Sequence, residues 1–118
     1  MKIELVVVPR IDNITEVKLI GRLDVLAVKE IDVRFHGETA ARERHAIVDL
    51  SRLEFITSLG IGMLFGCAKS LRRRGHTMVL VGSAGFVDAA LRTVGVEQAI
   101  PFAKTAEEAL RLVGDSRS

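Results

Sequence analysis

The sequence predicts an α/β fold, a mixed sheet packed with helices in the order β-β-α-β-α-β-α-β-α. Three observations predict it. Short β-branched and apolar runs at 3–8, 14–20, 46–50 and 77–81 read as strands. Between them lie longer stretches whose apolar residues recur at three- and four-residue steps, the period of a helix packed on one side. Finally, 118 residues leave room for one core, so 1–118 is read as a single domain, without repeat, linker or low-complexity segment.

Taken in order, residues 3–8 are followed by Pro9 and the Asp12-Asn13 pair. That turn chemistry, with the alternation resuming at 14–20, predicts an opening β-hairpin. Asp24 is placed to cap a helix that presents Val28, Ile31 and Phe35 on one side and reaches about residue 44. Gly37 inside it costs about 1 kcal/mol relative to alanine. Residues 46–50 form a buried strand, and a second helix runs from Ser58 to Gly75. A further buried strand at 77–81 leads through Gly82-Ser83 to a third helix over about 84–94, stopped by Gly95. A last short strand is expected at 99–102. Thr105 and Glu108 then give a capping-box pattern for a helix to about Val113.

Composition narrows the function classes. Seventeen basic and fifteen acidic residues give a formal charge of only +2, and there is no Trp or Tyr. This argues against a nucleic-acid surface, which needs basic excess and often stacking aromatics. Arg72, Arg73 and Arg74 read as cations at a helix C-terminus, where they complement the dipole. A single cysteine, Cys67, leaves no internal disulfide and suits a reducing compartment. The opening MKIELVVVPR is too short in its apolar run for a secretory signal, and no stretch approaches the roughly 20 apolar residues of a membrane span. A soluble, cytoplasmic protein without membrane insertion is expected.

The segment 48–68, VDLSRLEFITSLGIGMLFGCA, is the most informative. With Ser58 as N-cap of the second helix, Ile61, Leu64, Phe65, Ala68 and Leu71 form the core stripe. Leu59, Gly62, Met63 and Gly66 then occupy a face without charge until Lys69. Glycines one turn apart let another surface approach the backbone, and Leu59 and Met63 offer apolar area to it. The same face could instead pack inside its own domain. A phosphate on Ser58 would suit the helix N-terminus and repel an apolar partner, which is what a switch requires. Ser58 as a plain cap is the simpler alternative on these residues alone.

The stretch Asp49-Leu50-Ser51 through Phe55-Ile56-Thr57-Ser58-Leu59-Gly60-Ile61 resembles the signature of STAS domains of the anti-sigma factor antagonist family. Gly21-Arg22-Leu23-Asp24 resembles the family's upstream Gly-x-Leu-Asp motif. Met78-Val79-Leu80-Val81 and Leu91-Arg92-Thr93-Val94-Gly95-Val96 resemble its later strand and helix ending. The resemblance covers essentially the whole chain. It implies a bacterial transcription regulator that binds a cognate anti-sigma factor, a serine kinase, and is switched off by phosphorylation at Ser58. A phosphatase would restore the active form. Thr57 is a secondary phosphorylation candidate, and the partner-binding residues would be Asp24, Thr57, Ser58, Leu59, Gly62, Met63 and Gly66. Three departures point to a divergent partner: Thr57 stands where the family places an acid, Leu59 where a small residue is common, and Arg22 where an acid is common.

Other readings compete. An adaptor of the same family that is never phosphorylated would use the same surface in a multiprotein signalling complex. A serine hydrolase would need glycine where Ile56 stands before the Thr57-Ser58-Leu59-Gly60 run, and His36, His45 and His76 show no triad-like order. A nucleotide could only be met by Gly82-Ser83-Ala84-Gly85, since Walker A and Gly-x-Gly-x-x-Gly patterns are absent. Cys67 and the histidines lack metal-ligand spacing. The expectation is therefore no catalysis, cofactor or metal, and a monomer or weak dimer.

Overall fold

The computed structural model describes residues 3–115. Strand β1 (Glu4–Val8) and strand β2 (Ile14–Leu23) form the expected antiparallel hairpin. Helix α1 (Val25–Glu38), strand β3 (His45–Ile56), helix α2 (Ser58–Arg73), strand β4 (Met78–Val81), helix α3 (Gly85–Thr93), strand β5 (Phe102–Ala103) and helix α4 (Ala106–Asp115) follow. The sheet order is β1-β2-β3-β4-β5, with every pair after the hairpin parallel.

Alternation along the strands builds two apolar layers. Val17, Leu19, Val48, Leu50 and Leu80 point to one face and pack with Phe35 of α1, Leu64 of α2 and Leu91 of α3. Ile47, Val79 and Val81 point to the other, where α4 covers them with Ala109 and Val113. The Glu108 amide donates to the Thr105 hydroxyl at 3.1 Å, while the Glu108 carboxylate accepts from the Lys104 amide, one residue before the usual capping-box partner.

Several element boundaries differ from expectation, β2 reaching Leu23 among them. Helix α1 stops at Glu38 instead of near residue 44: the Thr39 backbone leaves the helical region (φ −119°, ψ −81°), and its hydroxyl donates to the Phe35 carbonyl that already accepts the last ladder bond from the Thr39 amide. A short 3-10 turn, Ala40–Arg42, follows, and Glu43 takes a left-handed φ of 55°. Strand β3 continues beyond residue 50 to Ile56, since its second half still pairs with β2 from Ile20↔Arg52 to Leu23↔Ile56. The last strand covers only Phe102–Ala103, because the Ala99 and Ile100 amides both donate to the Val96 carbonyl and hold those residues against the preceding 3-10 turn.

The phase of α2 is also corrected. Met63 was expected on the outer face, but it is only 7% exposed and belongs to the core with Gly60, Leu64, Cys67, Ala68 and Leu71. Phe65, expected inside, is 38% exposed, and Ile61 is half-buried. The cause lies at the first turn. A Cβ on Gly60 would sit 2.9 Å from the Leu23 side chain and 3.0 Å from that of Ile56, so the helix backbone rests directly on the ends of β2 and β3. That contact turns the 60-63-64-67-71 side inward.

Candidate functional site

The carboxyl ends of β2 and β3 place the first turns of α1 and α2 together. Asp24 caps α1, its Oδ1 accepting from the Ala27 amide at 2.9 Å, and remains half-exposed. Thr57, not Ser58, caps α2: its hydroxyl accepts from the Gly60 amide at 3.3 Å. The same hydroxyl donates to the Leu23 carbonyl at 3.2 Å, and the Thr57 amide donates to that carbonyl at 3.1 Å. The end of β2 is thereby tied to the start of α2, and Thr57 is half-buried.

Relieved of the cap, Ser58 is the first residue of α2 and is exposed. Its hydroxyl forms no hydrogen bond with any described residue, and neither its amide nor that of Leu59 has an acceptor among them. The first turn carries no acidic side chain. A helix start with free amides and no carboxylate in its own first turn has the electrostatics to hold an anion.

Beside Ser58, Leu59 is 47% exposed, and Gly62 and Gly66 are exposed with open space where side chains would stand. Leu59, Gly62 and Gly66 thus occupy the outer face as expected, while Met63 does not. Asp24, Thr57 and Ser58 cluster at the helix starts.

Sequence reasoning missed a stacked group at this end of the sheet. The Arg22 guanidinium lies 4.3 Å from the centre of the Phe55 ring, its register partner on β3. The Phe55 ring stacks at 5.2 Å, with planes 9° apart, on Phe86 in the first turn of α3, and Phe86 is 57% exposed. The signal was Arg22 itself: an arginine in place of an acid serves the neighbouring ring through cation–π attraction. Only the fold brings Phe55 and Phe86 together.

The residues weighed for catalysis lie elsewhere. His45 opens β3, whose 12 residues separate it from Ser58 by about 3.3 Å each. Its Nδ1 accepts from the Thr77 amide, and its ring meets that of His76 edge-on, which commits it at the opposite end of β3 from Ser58. His36 lies 3.5 Å from the Cys67 sulfur, and burial raises the Cys67 thiol above its usual pKa, keeping it neutral. At the glycine turn before α3, the Ser83 hydroxyl donates to Asp88, whose carboxylate lies in the helix's first turn where a phosphate would have to bind.

Comparison with known proteins bears on the fold. The STAS domain family model matches residues 5–109. None of the curated proteins matches the sequence. Among solved structures, a Thermotoga maritima protein provisionally assigned as an anti-sigma factor antagonist has a TM-score of 0.82 at 18% identity, covering 95% of this chain and 94% of its own. An anti-sigma factor antagonist from Mycobacterium paratuberculosis has a TM-score of 0.79 at 24% identity, covering 97% and 96%. SpoIIAA, a Bacillus cell fate determinant and anti-sigma factor antagonist, has a TM-score of 0.66 at 25% identity in its unphosphorylated form, covering 95% and 97%, and is also known in a phosphorylated form.

Proposed function

This chain belongs to the STAS domain family, and on that footing we propose that it is an anti-sigma factor antagonist switched by phosphate on Ser58. The observation that carries the reading is the Ser58 hydroxyl, exposed and unbonded among the described residues, at a helix start beside exposed Leu59. SpoIIAA, which shares the fold, occurs in both phosphorylated and unphosphorylated forms. The partner is a cognate anti-sigma factor with serine kinase activity, and a phosphatase reverses the modification. The chain itself performs no catalysis.

The unmodified surface binds through Leu59, with Gly62 and Gly66 admitting the partner close to the α2 backbone and Asp24 at its margin. Phosphate adds roughly −1.5 to −2 charges next to that apolar contact, and the cost of desolvating them expels the partner. The fold tolerates the charge, because the free first-turn amides of α2 face it. Of the two hydroxyls, Ser58 is the acceptor. That of Thr57 is committed to the Leu23 carbonyl and to capping.

Phosphopeptide mass spectrometry after incubation with the serine anti-sigma kinases of the source organism tests the site, with modification expected on Ser58 and abolished in Ser58→Ala. Ser58→Asp is expected to keep thermal stability and lose the kinase partner. Unchanged binding by Ser58→Asp would favour the unphosphorylated adaptor in a signalling complex.

A further inference from the structure

A second surface lies at the other end of α2, independent of the phosphorylation reading. There the helix and the loop entering β5 enclose an open groove of about 510 Å³. Its floor is apolar, formed by Phe65, Ala68 and Ile100. Its rim is cationic, formed by Lys69, Arg72 and Arg73. The helix dipole accounts for cations at this end of a helix. It does not account for the Phe65 ring left 38% exposed beside them, over Ala68 and Ile100, which are themselves nearly covered.

None of the three cations forms an ion pair with a described residue, Glu97 on the adjoining turn included. Lys69 and Arg73 are four residues apart on one helix face, a like-charge spacing that costs the free protein stability. Arg72 is held across the groove by donating through Nη2 to the Ala99 carbonyl at 3.0 Å, which fixes its guanidinium at the mouth. A smaller recess of about 230 Å³ continues past Arg72 towards Pro101. The larger volume lies in the range that takes a small ligand rather than a folded partner.

We propose that this groove binds an amphiphilic organic anion, a carboxylate carried on an aliphatic body. The aliphatic part lies over Phe65, Ala68 and Ile100. The carboxylate is met at the rim by Lys69 and Arg73, with the anchored Arg72 presenting its remaining donors. Charge complementarity selects the anion, because the rim holds three cations and no paired acid. The floor selects the apolar body, because a bare inorganic anion would leave Phe65 uncovered.

Octanoate titrated into isotopically labelled protein, read by amide chemical shifts, tests this. Saturable shifts centred on Phe65, Lys69, Ala99 and Ile100 are expected, with affinity falling as salt is raised. The double variant Lys69→Gln, Arg73→Gln replaces exposed side chains with uncharged ones of good helix propensity. It is expected to fold with only a small fall in thermal midpoint, since it gives up cations that complement the helix dipole but also relieves their mutual repulsion. It should bind octanoate about tenfold more weakly, since charge-assisted hydrogen bonds are lost. Uncharged 1-octanol should bind weakly and equally to both proteins. The proposal is overturned by an absence of saturable shifts at millimolar octanoate, or by shifts spread over the surface. An affinity of the natural chain for octanol as high as that for octanoate, or an unchanged octanoate affinity in the double variant, would also overturn it. Matching shifts from a hexaglutamate peptide would assign the groove to an acidic protein segment and reject the amphiphile.

Discussion

The Thr57 hydroxyl and the Leu23 carbonyl, 34 residues apart in sequence, are hydrogen-bonded at 3.2 Å, and the same hydroxyl caps α2. One side chain therefore sets both the start of the helix and its distance from the end of β2. The order of the two adjacent hydroxyls follows from this. The inner one is structural, and the outer one is left for solvent.

Thr57→Ala is expected to lose about 1–2 kcal/mol of stability, the cost of a strong cap. Thr57→Ser should recover most of it, since the same oxygen can accept and donate. Ser58→Ala should change stability by less than about 0.5 kcal/mol, as an exposed surface substitution does. Urea denaturation of the three variants checks the ranking. A larger loss at Ser58 than at Thr57 would place the cap one residue later.

The three glycines in α2 are predicted to respond in opposite directions. Gly62→Ala and Gly66→Ala meet open space and remove a helix-interior glycine, so each should stabilise by about 0.5–1 kcal/mol. Gly60→Ala makes the same backbone gain but drives a methyl group to 2.9 Å from Leu23, which is fully buried and cannot swing away. Overpacking of that kind costs about 1–3 kcal/mol, so a net loss is expected. Thermal unfolding separates the two signs. If the Gly62 and Gly66 variants gain stability but lose the anti-sigma partner, their bareness serves the interface.

Met63→Ala is expected to cost about 2–5 kcal/mol, as for a buried methionine, whereas Leu59→Arg should be close to neutral for folding and harmful to partner binding. This pair exposes what the sequence could and could not say. Leu64, Ala68 and Leu71 serve either phase of α2, so they could not decide between Met63 with Cys67 and Ile61 with Phe65. Both flanks are apolar, and periodicity alone weighs them equally. The decision came from long-range contacts: Gly60 on Leu23 and Ile56, and His36 of α1 beside Cys67. The strands and most helix ends, by contrast, rested on local signals such as Asp24, Gly75 and Gly95, and these were legible. The stack of Arg22, Phe55 and Phe86 was not, because its members come from three separate elements.

Acid stability should depend on Asp88. Its carboxylate accepts from the Ser83 hydroxyl at 2.7 Å and from the Arg92 guanidinium at 2.9 Å, and these bonds, Ser83 foremost, hold it below the usual carboxylate range. A carboxyl whose pKa falls on folding stabilises fully above its unfolded value of about 3.9, and that contribution disappears as pH drops through the folded value. Asp88→Asn is therefore expected to be less stable than the natural chain near neutrality. The gap should begin to narrow as pH falls through about 3.9 and close only below the lower folded value, where both side chains are uncharged. Asp12, paired with Arg10, has the same sign, but its side chain is 43% exposed, so solvent weakens its share. Urea midpoints for both proteins across the acid range measure the difference. A gap that stays constant with pH would mean that Asp88 acts through shape and hydrogen bonding alone, and that its ionisation contributes nothing to the fold.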